Sequence, residues 1–71
     1  MDQYIINEQP RPDGAYEMHN LSKGCENLPV QKEQIPIGFF ANFELAYKRA
    51  RINWPKEKVK ACVSCCHINN N

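Results

Sequence analysis

Apolar residues in the first forty positions fall into short runs that predict three β-strands. The runs are rich in aromatic, isoleucine or methionine side chains and are bounded by turn residues, as half-buried strands are. They are residues 3–7, 15–19 and 35–40. The segment 8–14 holds two prolines and an Asp-Gly pair, so residues 3–19 are predicted to form a β-hairpin. Pro36 cannot donate to a β-ladder, which places the third strand at a sheet edge or makes this residue its start.

A helical period replaces the strand pattern after Asn42. Asn42 is a favourable N-cap and Pro55 disfavours helical backbone before it, so a helix is predicted from Phe43 to about Asn53. At about 100° per residue, five side chains form one stripe that is expected to pack on the sheet. They are Phe43, Ala46, Tyr47, Ala50 and Trp54.

Seventy-one residues suffice for one domain and not for two. We expect residues 1–71 to form a single small α+β domain, with residues 68–71 as a frayed polar tail. The predicted architecture is an antiparallel sheet of about three strands, one helix packed across it and a cysteine-rich C-terminal return. The core of so short a chain is marginal, and such chains often depend on a metal ion, disulfides or a partner subunit.

The N-terminal sequence and the distribution of charge along the chain predict the compartment of the protein and the kind of partner it could bind. No basic and apolar leader follows Met1 and no apolar run could span a bilayer, so we expect a cytoplasmic protein with reduced or metal-bound thiols. The formal net charge is +1, but residues 1–44 sum to −4 and residues 45–71 to +5. We interpret the basic residues of segment 45–71 as a solvent-exposed helix face. Alternatively, they could contact an acidic partner or a second copy of the chain. Leu45 and Ile52 lie on that outer face, where exposure is expected.

The residues with reactive or metal-binding side chains are four cysteines and two histidines in two clusters. Cys62-x-x-Cys65 has the spacing at which two thiolates wrap one metal ion, and His19-x5-Cys25 can supply two further ligands. The predicted ligands are His19, Cys25, Cys62 and Cys65, with Cys66 and His67 as alternates. Zinc is the expected ion because it takes cysteine and histidine ligands in tetrahedral geometry without redox chemistry. Such a site would clamp both ends of a marginal core.

Other interpretations of these residues stay open. Free cysteine packs as a small hydrophobe, so the thiols could be reduced and partly buried without any ligand. Cys62-x-x-Cys65 could instead cycle between dithiol and disulfide, although the βαβ context of thioredoxin-like proteins is missing. Catalysis has little support, because Glu17 and His19 share a strand face as solvent-facing pairs do, and no phosphate-binding glycine loop is present.

Short motifs follow one another in a defined order over nearly the whole chain. They are Tyr4-Ile5-Ile6, Gly14, Glu17-Met18-His19, Cys25, Leu28-Pro29, Ile37-Gly38, Ala46, Ala50, Trp54-Pro55 and Cys62-x-x-Cys65-Cys66. This order resembles an uncharacterised family of short bacterial, Bacteroidetes-type proteins with the pattern GxHEVH…C…LP…LG…A…A…YP…GCxxCC. Tyr16 stands in place of that family's first histidine, and Ala61 in place of its glycine. The resemblance implies no assigned activity and adds no catalytic residue.

These features predict a non-enzymatic cytoplasmic domain, stabilised by a structural zinc ion, that binds an unknown protein partner or a second copy of itself. One alternative is a nucleic-acid-associated module that uses the basic residues at the C-terminal end of the helix. Another is a thiol–disulfide redox protein that uses Cys62-x-x-Cys65.

Overall fold

A computed structural model describes residues 1–66 as a four-stranded sheet with one helix packed on it, which confirms the α+β class. The elements are β1 (Asp2–Asn7), β2 (Tyr16–Asn20), β3 (Gln34–Phe40), α1 (Phe43–Asn53) and β4 (Val59–Ala61), with a 3-10 turn at Gln31–Glu33. Among residues 1–66, no helix has the length and apolar character needed to cross a bilayer. His67 and the predicted tail at residues 68–71 lie outside the described residues.

The strand order is β3-β1-β2-β4, and the sheet is mixed. β1 pairs antiparallel with β2 and with β3, which confirms the predicted hairpin. The predicted antiparallel pairing holds for β1, β2 and β3, but β4 adds a fourth strand, which pairs parallel with β2 and makes the sheet mixed. The sequence Val59–Ala61 is too short to carry a strand pattern of its own. It joins the sheet because the β2 backbone offers hydrogen bonds, such as that from Cys62 N–H to the Met18 carbonyl at 2.9 Å.

Turn chemistry sets the ends of the hairpin and of β3. Gly14 adopts a positive φ of 88°, and Asp13 Oδ1 accepts a hydrogen bond from Ala15 N–H at 2.9 Å, as the Pro-Asp-Gly sequence predicts. β3 is an edge strand, which confirms the place predicted for Pro36. The β1–β3 register shifts next to Gly38, where φ is 141°.

Helix α1 covers one face of the sheet. The Asn42 side chain accepts a hydrogen bond from Leu45 N–H at 3.0 Å and so caps the first turn, as predicted. Ala46 and Ala50 are fully buried, because only small side chains allow the helix backbone to approach the strands closely. Together with half-buried Phe43, Tyr47 and Trp54, they form the predicted apolar stripe.

Side chains of β2 alternate between the face that α1 covers and the opposite face. Tyr16 and Met18 pack with the core beneath α1, so Glu17 and His19 point to the opposite face. The segment that follows β2 continues to pair with β1, where Leu21 N–H donates to the Gln3 carbonyl at 2.8 Å. Gln3 N–H in turn donates to Ser22 Oγ at 2.9 Å. The loop that carries Cys25 therefore begins directly beyond the end of β2.

Candidate metal centre

His19 lies near the end of β2 and is completely buried, whereas the sequence favoured a solvent-facing Glu17–His19 pair. The reason is that groups from two segments lie against the ring: Cys65 Sγ is 3.7 Å from Nδ1 and Glu17 Oε1 is 3.4 Å from Nε2. The parallel register pairs Met18 with Ala61, so the next residues of the two segments, His19 and Cys62, come close together, and Cys62 is buried in the cluster that also holds Ala46 and Ala50. A histidine at a sheet position thus acquires a thiol neighbour from the far end of the described chain.

The turn after β4 places Cys65, and not Cys66, among the four candidate ligands. Cys66 N–H donates to the Cys62 carbonyl at 2.8 Å, which closes a turn and brings Cys65 back towards Cys62. Asn20 N–H then donates to Cys65 Sγ at 3.3 Å and fixes that sulfur at the end of β2. Cys66 is buried in the same hydrophobic cluster as Cys62 and Cys65, but it is not among the four residues whose ligand atoms come together.

The loop after β2 supplies Cys25. Gly24 has a positive φ of 85°, and its N–H donates to the Asn20 carbonyl at 3.2 Å, so the chain turns sharply before the cysteine. Asn27 N–H donates to Cys25 Sγ at 3.4 Å. The Asn27 side chain donates to Ser64 Oγ at 3.4 Å and so ties this loop to the C-terminal turn.

The four predicted ligand residues meet in space. The nearest ligand atoms of His19, Cys25, Cys62 and Cys65 all lie within 4.8 Å of one another. Cys25 Sγ is 3.6 Å from Cys62 Sγ, and His19 Nδ1 is 3.7 Å from Cys65 Sγ. A tetrahedral zinc ion with ordinary bond lengths separates two sulfurs by about 3.8 Å and sulfur from nitrogen by about 3.6 Å. Both measured edges fit such an ion.

Backbone N–H groups point at all three sulfurs of the cluster. Cys25 and Cys65 each receive one, from Asn27 and Asn20, and Cys62 receives the N–H groups of Ser64 and Cys65. Donors of this kind stabilise thiolate, which is the form that binds a metal. The arrangement is therefore suited to anionic sulfur at each position.

Without a metal ion, the thiols differ in their tendency to ionise. Burial raises the pKa of the Cys62 thiol, but hydrogen bonds from the Ser64 and Cys65 N–H groups and from neighbouring thiols outweigh it, and the pKa is lowered. Burial raises the pKa of Cys65 far above its usual range and that of Cys66 to about 11. Several thiolates this close repel one another, so three anionic sulfurs need a cation between them.

The Glu17 carboxylate lies next to Nε2 of His19, the ring nitrogen that faces away from the sulfurs. With Nδ1 turned towards the sulfurs, Nε2 carries the proton of the neutral ring and lies 3.4 Å from Glu17 Oε1. Nε2 is buried and makes no full hydrogen bond within residues 1–66, and the Glu17 carboxylate is the charged group that it approaches. Arg11 Nη1 fixes the other oxygen of Glu17 at 3.1 Å. Burial lowers the pKa of His19, against the opposing effect of Glu17, and favours the neutral ring that metals bind.

The structure brings together His19, Cys25, Cys62 and Cys65 and leaves the alternate Cys66 out of that group. The second alternate, His67, lies outside the described residues. Sequence reasoning missed Asn20 and Asn27, whose backbone N–H groups donate to sulfur. Backbone donors leave no signal in residue type, so no pattern in the chain indicates them.

Comparisons with models of protein families, with curated proteins and with solved structures find no match for this chain. The resemblance to short bacterial histidine- and cysteine-containing proteins therefore stays a prediction. The fold and site define a small α+β domain with a buried histidine–cysteine cluster that is close enough to hold one metal ion.

Proposed function

We propose that this chain is a non-enzymatic binding domain whose fold is stabilised by a structural zinc ion. One observation carries the proposal: four ligand atoms of the types that zinc prefers, one imidazole nitrogen and three sulfurs, lie within 4.8 Å of one another. Their spacing suits tetrahedral coordination, and each sulfur already receives a backbone hydrogen bond.

A structural role is favoured over a catalytic one by the number and burial of the ligands. Catalytic zinc keeps an open position for water or substrate, whereas structural zinc is closed by four protein ligands. Here four protein ligands complete the shell, and His19, Cys62 and Cys65 are buried while Cys25 is half-buried. A substrate would have to displace a ligand to reach the ion.

The energetic argument also favours a stabilising role. The ligands come from β2, the following loop and the turn after β4, so one ion would connect segments up to 46 residues apart. Structural zinc contributes on the order of 10 kcal/mol in small metal-dependent domains. Ordinary domains have a total stability of about 5–15 kcal/mol. A 71-residue chain with a small core thus gains a large share of its stability from such a site.

The proposed compartment follows from the thiols. Cys25, Cys62, Cys65 and Cys66 are all free in this structure, and a zinc–thiolate site requires reduced sulfur. We therefore place the working protein in the reducing cytoplasm.

Thiol–disulfide chemistry is the second candidate, and one observation favours it. Cys25 is the most accessible of the four thiols, and its Sγ lies 3.6 Å from Cys62 Sγ, whose pKa is lowered. A mild oxidant would join this pair before Cys62 and Cys65 if the cluster worked as a redox centre without metal. Zinc would block that reaction by occupying both sulfurs.

Native mass spectrometry of the purified chain tests the proposal. We expect the mass of one zinc ion per chain, its loss on treatment with a chelator, and a lower melting temperature afterwards. Cobalt(II) should restore the melting temperature and give the visible absorption of a tetrahedral sulfur–nitrogen site. A chain that carries no metal after expression in zinc-supplemented medium and melts at the same temperature with or without chelator would contradict the proposal. A chain that instead loses two hydrogens on mild oxidation and cycles with a reductant would support the redox candidate.

A further inference from the structure

An open groove runs between helix α1 and the outer edge of strand β4, and none of the four candidate metal ligands lines it. We infer that this groove binds an extended acidic peptide, which adds to the sheet as a fifth strand beside β4. The inference rests on the proposed function, because it names the partner of the binding domain and takes the metal-bound fold as the competent state.

Strand β4 leaves hydrogen-bonding groups free at the outer edge of the sheet. Tyr16 N–H donates to the Lys58 carbonyl and Cys62 N–H to the Met18 carbonyl, so even-numbered residues of the strand pair with β2. In a parallel ladder the residues between them, Val59 and Ala61, turn their backbone groups outwards. Tyr47 Oη donates to the Val59 carbonyl at 3.2 Å. The other outward groups have no hydrogen-bond partner within residues 1–66.

The groove has the size and lining for a short extended segment. A cleft of about 530 Å³ lies against Ala61 and the stacked rings of Phe43 and Tyr47, whose centroids are 5.5 Å apart. A second cleft of about 480 Å³ continues along the helix past Ile52 and shares Tyr47 with the first. Strand β4 has three residues, about 10 Å of extended chain, so an added strand would pair along about three of its own residues. The rings provide an apolar floor for one inward side chain of the peptide.

The charges beside the groove favour an acidic partner. Two cations line it, Lys48 and Arg51, and neither has an ion-pair partner among residues 1–66. Glu44 lines one end of the groove as its only acidic lining residue among those described. The guanidinium of Arg51 lies 5.7 Å above the Tyr47 ring, which holds one cation at the groove wall.

The strand edge decides between possible occupants. A single-stranded nucleic acid would use the same cations but would leave the outward backbone groups of Val59 and Ala61 unpaired. A second copy added through the same edge would bring its own lysines against Lys58 and Lys60, and like charges at an edge oppose such pairing. An acidic peptide satisfies both the backbone groups and the cations.

Fluorescence anisotropy with the zinc-loaded chain tests the inference. The probes are a library of capped, labelled seven-residue peptides with glutamate at alternate positions and varied apolar residues between them. We expect saturable binding by members of this library. Arg51→Glu should weaken it at least tenfold, whereas Arg49→Glu, the same change on the outer face of the helix, should change it less than twofold. Peptides methylated at one inward amide should also bind at least tenfold more weakly, and the amide resonance of Ala61 should shift on binding.

Several outcomes would overturn the inference. They are failure of every library member to bind, equal losses in the Arg51→Glu and Arg49→Glu variants, or full binding by the methylated peptides. Tighter binding of a ten-nucleotide oligothymidylate than of any peptide would reassign the surface to nucleic acid. Self-association that increases with protein concentration in sedimentation and is abolished in Arg51→Glu would show that the groove binds a second copy of the chain. Zinc content is measured on the same samples. Loss of zinc would contradict the proposed metal site, whereas absence of peptide binding at one zinc ion per chain would contradict only the peptide groove.

Discussion

Nδ1 of His19 lies 3.7 Å from Sγ of Cys65, although 46 residues separate the two along the chain. The contact joins the second strand of the hairpin to the turn that follows β4. Asn20, the neighbour of His19, donates its N–H to the same sulfur at 3.3 Å, so two adjacent residues hold one cysteine. This relationship places a buried imidazole within a thiol cluster, and the first predictions concern that imidazole.

Replacing His19 should remove the nitrogen ligand of the site. We expect His19→Ala to lower zinc affinity by more than about 100-fold, since even second-shell changes cost 10–100-fold. His67→Ala is the matched control, because it changes the only other histidine of the chain and should leave affinity within twofold. Competition with a chromophoric chelator measures the zinc affinities of both variants. Loss of zinc in His67→Ala with retention in His19→Ala would show that the alternate histidine is the ligand.

Cys25 and Cys62 should act as one unit, because their sulfurs are 3.6 Å apart in one proposed site. We expect Cys25→Ser and Cys62→Ser each to lower the free energy of unfolding of the zinc-loaded chain by similar amounts. The double variant should lose little more than either single one. Denaturation in urea gives the three values.

Cys66→Ser is the control for this cycle. It places a hydroxyl in the hydrophobic core and should also destabilise the fold, but one zinc ion per chain should remain. Losses at Cys25 and Cys62 that simply add would disprove a shared site.

Glu17 should tune the site through the histidine ring. Its Oε1 lies 3.4 Å from His19 Nε2, the usual place of a carboxylate that orients a metal-bound histidine. We expect Glu17→Gln to lower zinc affinity by about 10–100-fold while the metal stoichiometry stays at one. Glu8→Gln, the same change at an exposed residue, should have no effect on affinity. Identical zinc affinities for the two variants would show that Glu17 does not support the ligand.

The order of thiol alkylation should report which cysteines hold the metal. In the zinc-loaded chain all four thiols should resist iodoacetamide at pH 8. After chelation, Cys25 and Cys62 should react first, because Cys25 is half-buried and the pKa of Cys62 is lowered. Cys65 and Cys66 should react last, because burial raises the pKa of both thiols, and at Cys66 a pKa of about 11 leaves about one part in a thousand as thiolate at that pH. Peptide mapping by mass spectrometry measures the order, and early labelling of Cys66 without chelator would contradict it.

The close approach of α1 to the sheet should tolerate no larger side chain at Ala50, which is fully buried. Ala50→Leu should cost about 1–3 kcal/mol of unfolding free energy, because overpacking forces the helix away from the strands. Ala41→Leu, the same change at an exposed residue before the helix, should cost less than about 0.5 kcal/mol. Equal costs in urea denaturation would mean that α1 does not pack as described.

The sequence by itself determined the elements whose causes are local. Asn42 begins the helix through its own side chain, and Ala46 and Ala50 mark the buried stripe by their spacing. The hairpin follows from the turn residues between two apolar runs. The residue types of the site, histidine and cysteine at metal-binding spacings, were also evident, because ligand chemistry depends on the side chain itself.

Only the tertiary structure decided how these parts meet. The spacing favoured Cys65 and kept Cys66 as an alternate, and the folded chain brings Cys65 to the site through one turn and the N–H of Asn20. The parallel pairing of β4 and the burial of His19 depend on contacts across more than forty residues, which local pattern does not encode. Strand order is set by the sum of such distant contacts, so the fourth strand and the groove beside it emerged only from the folded chain.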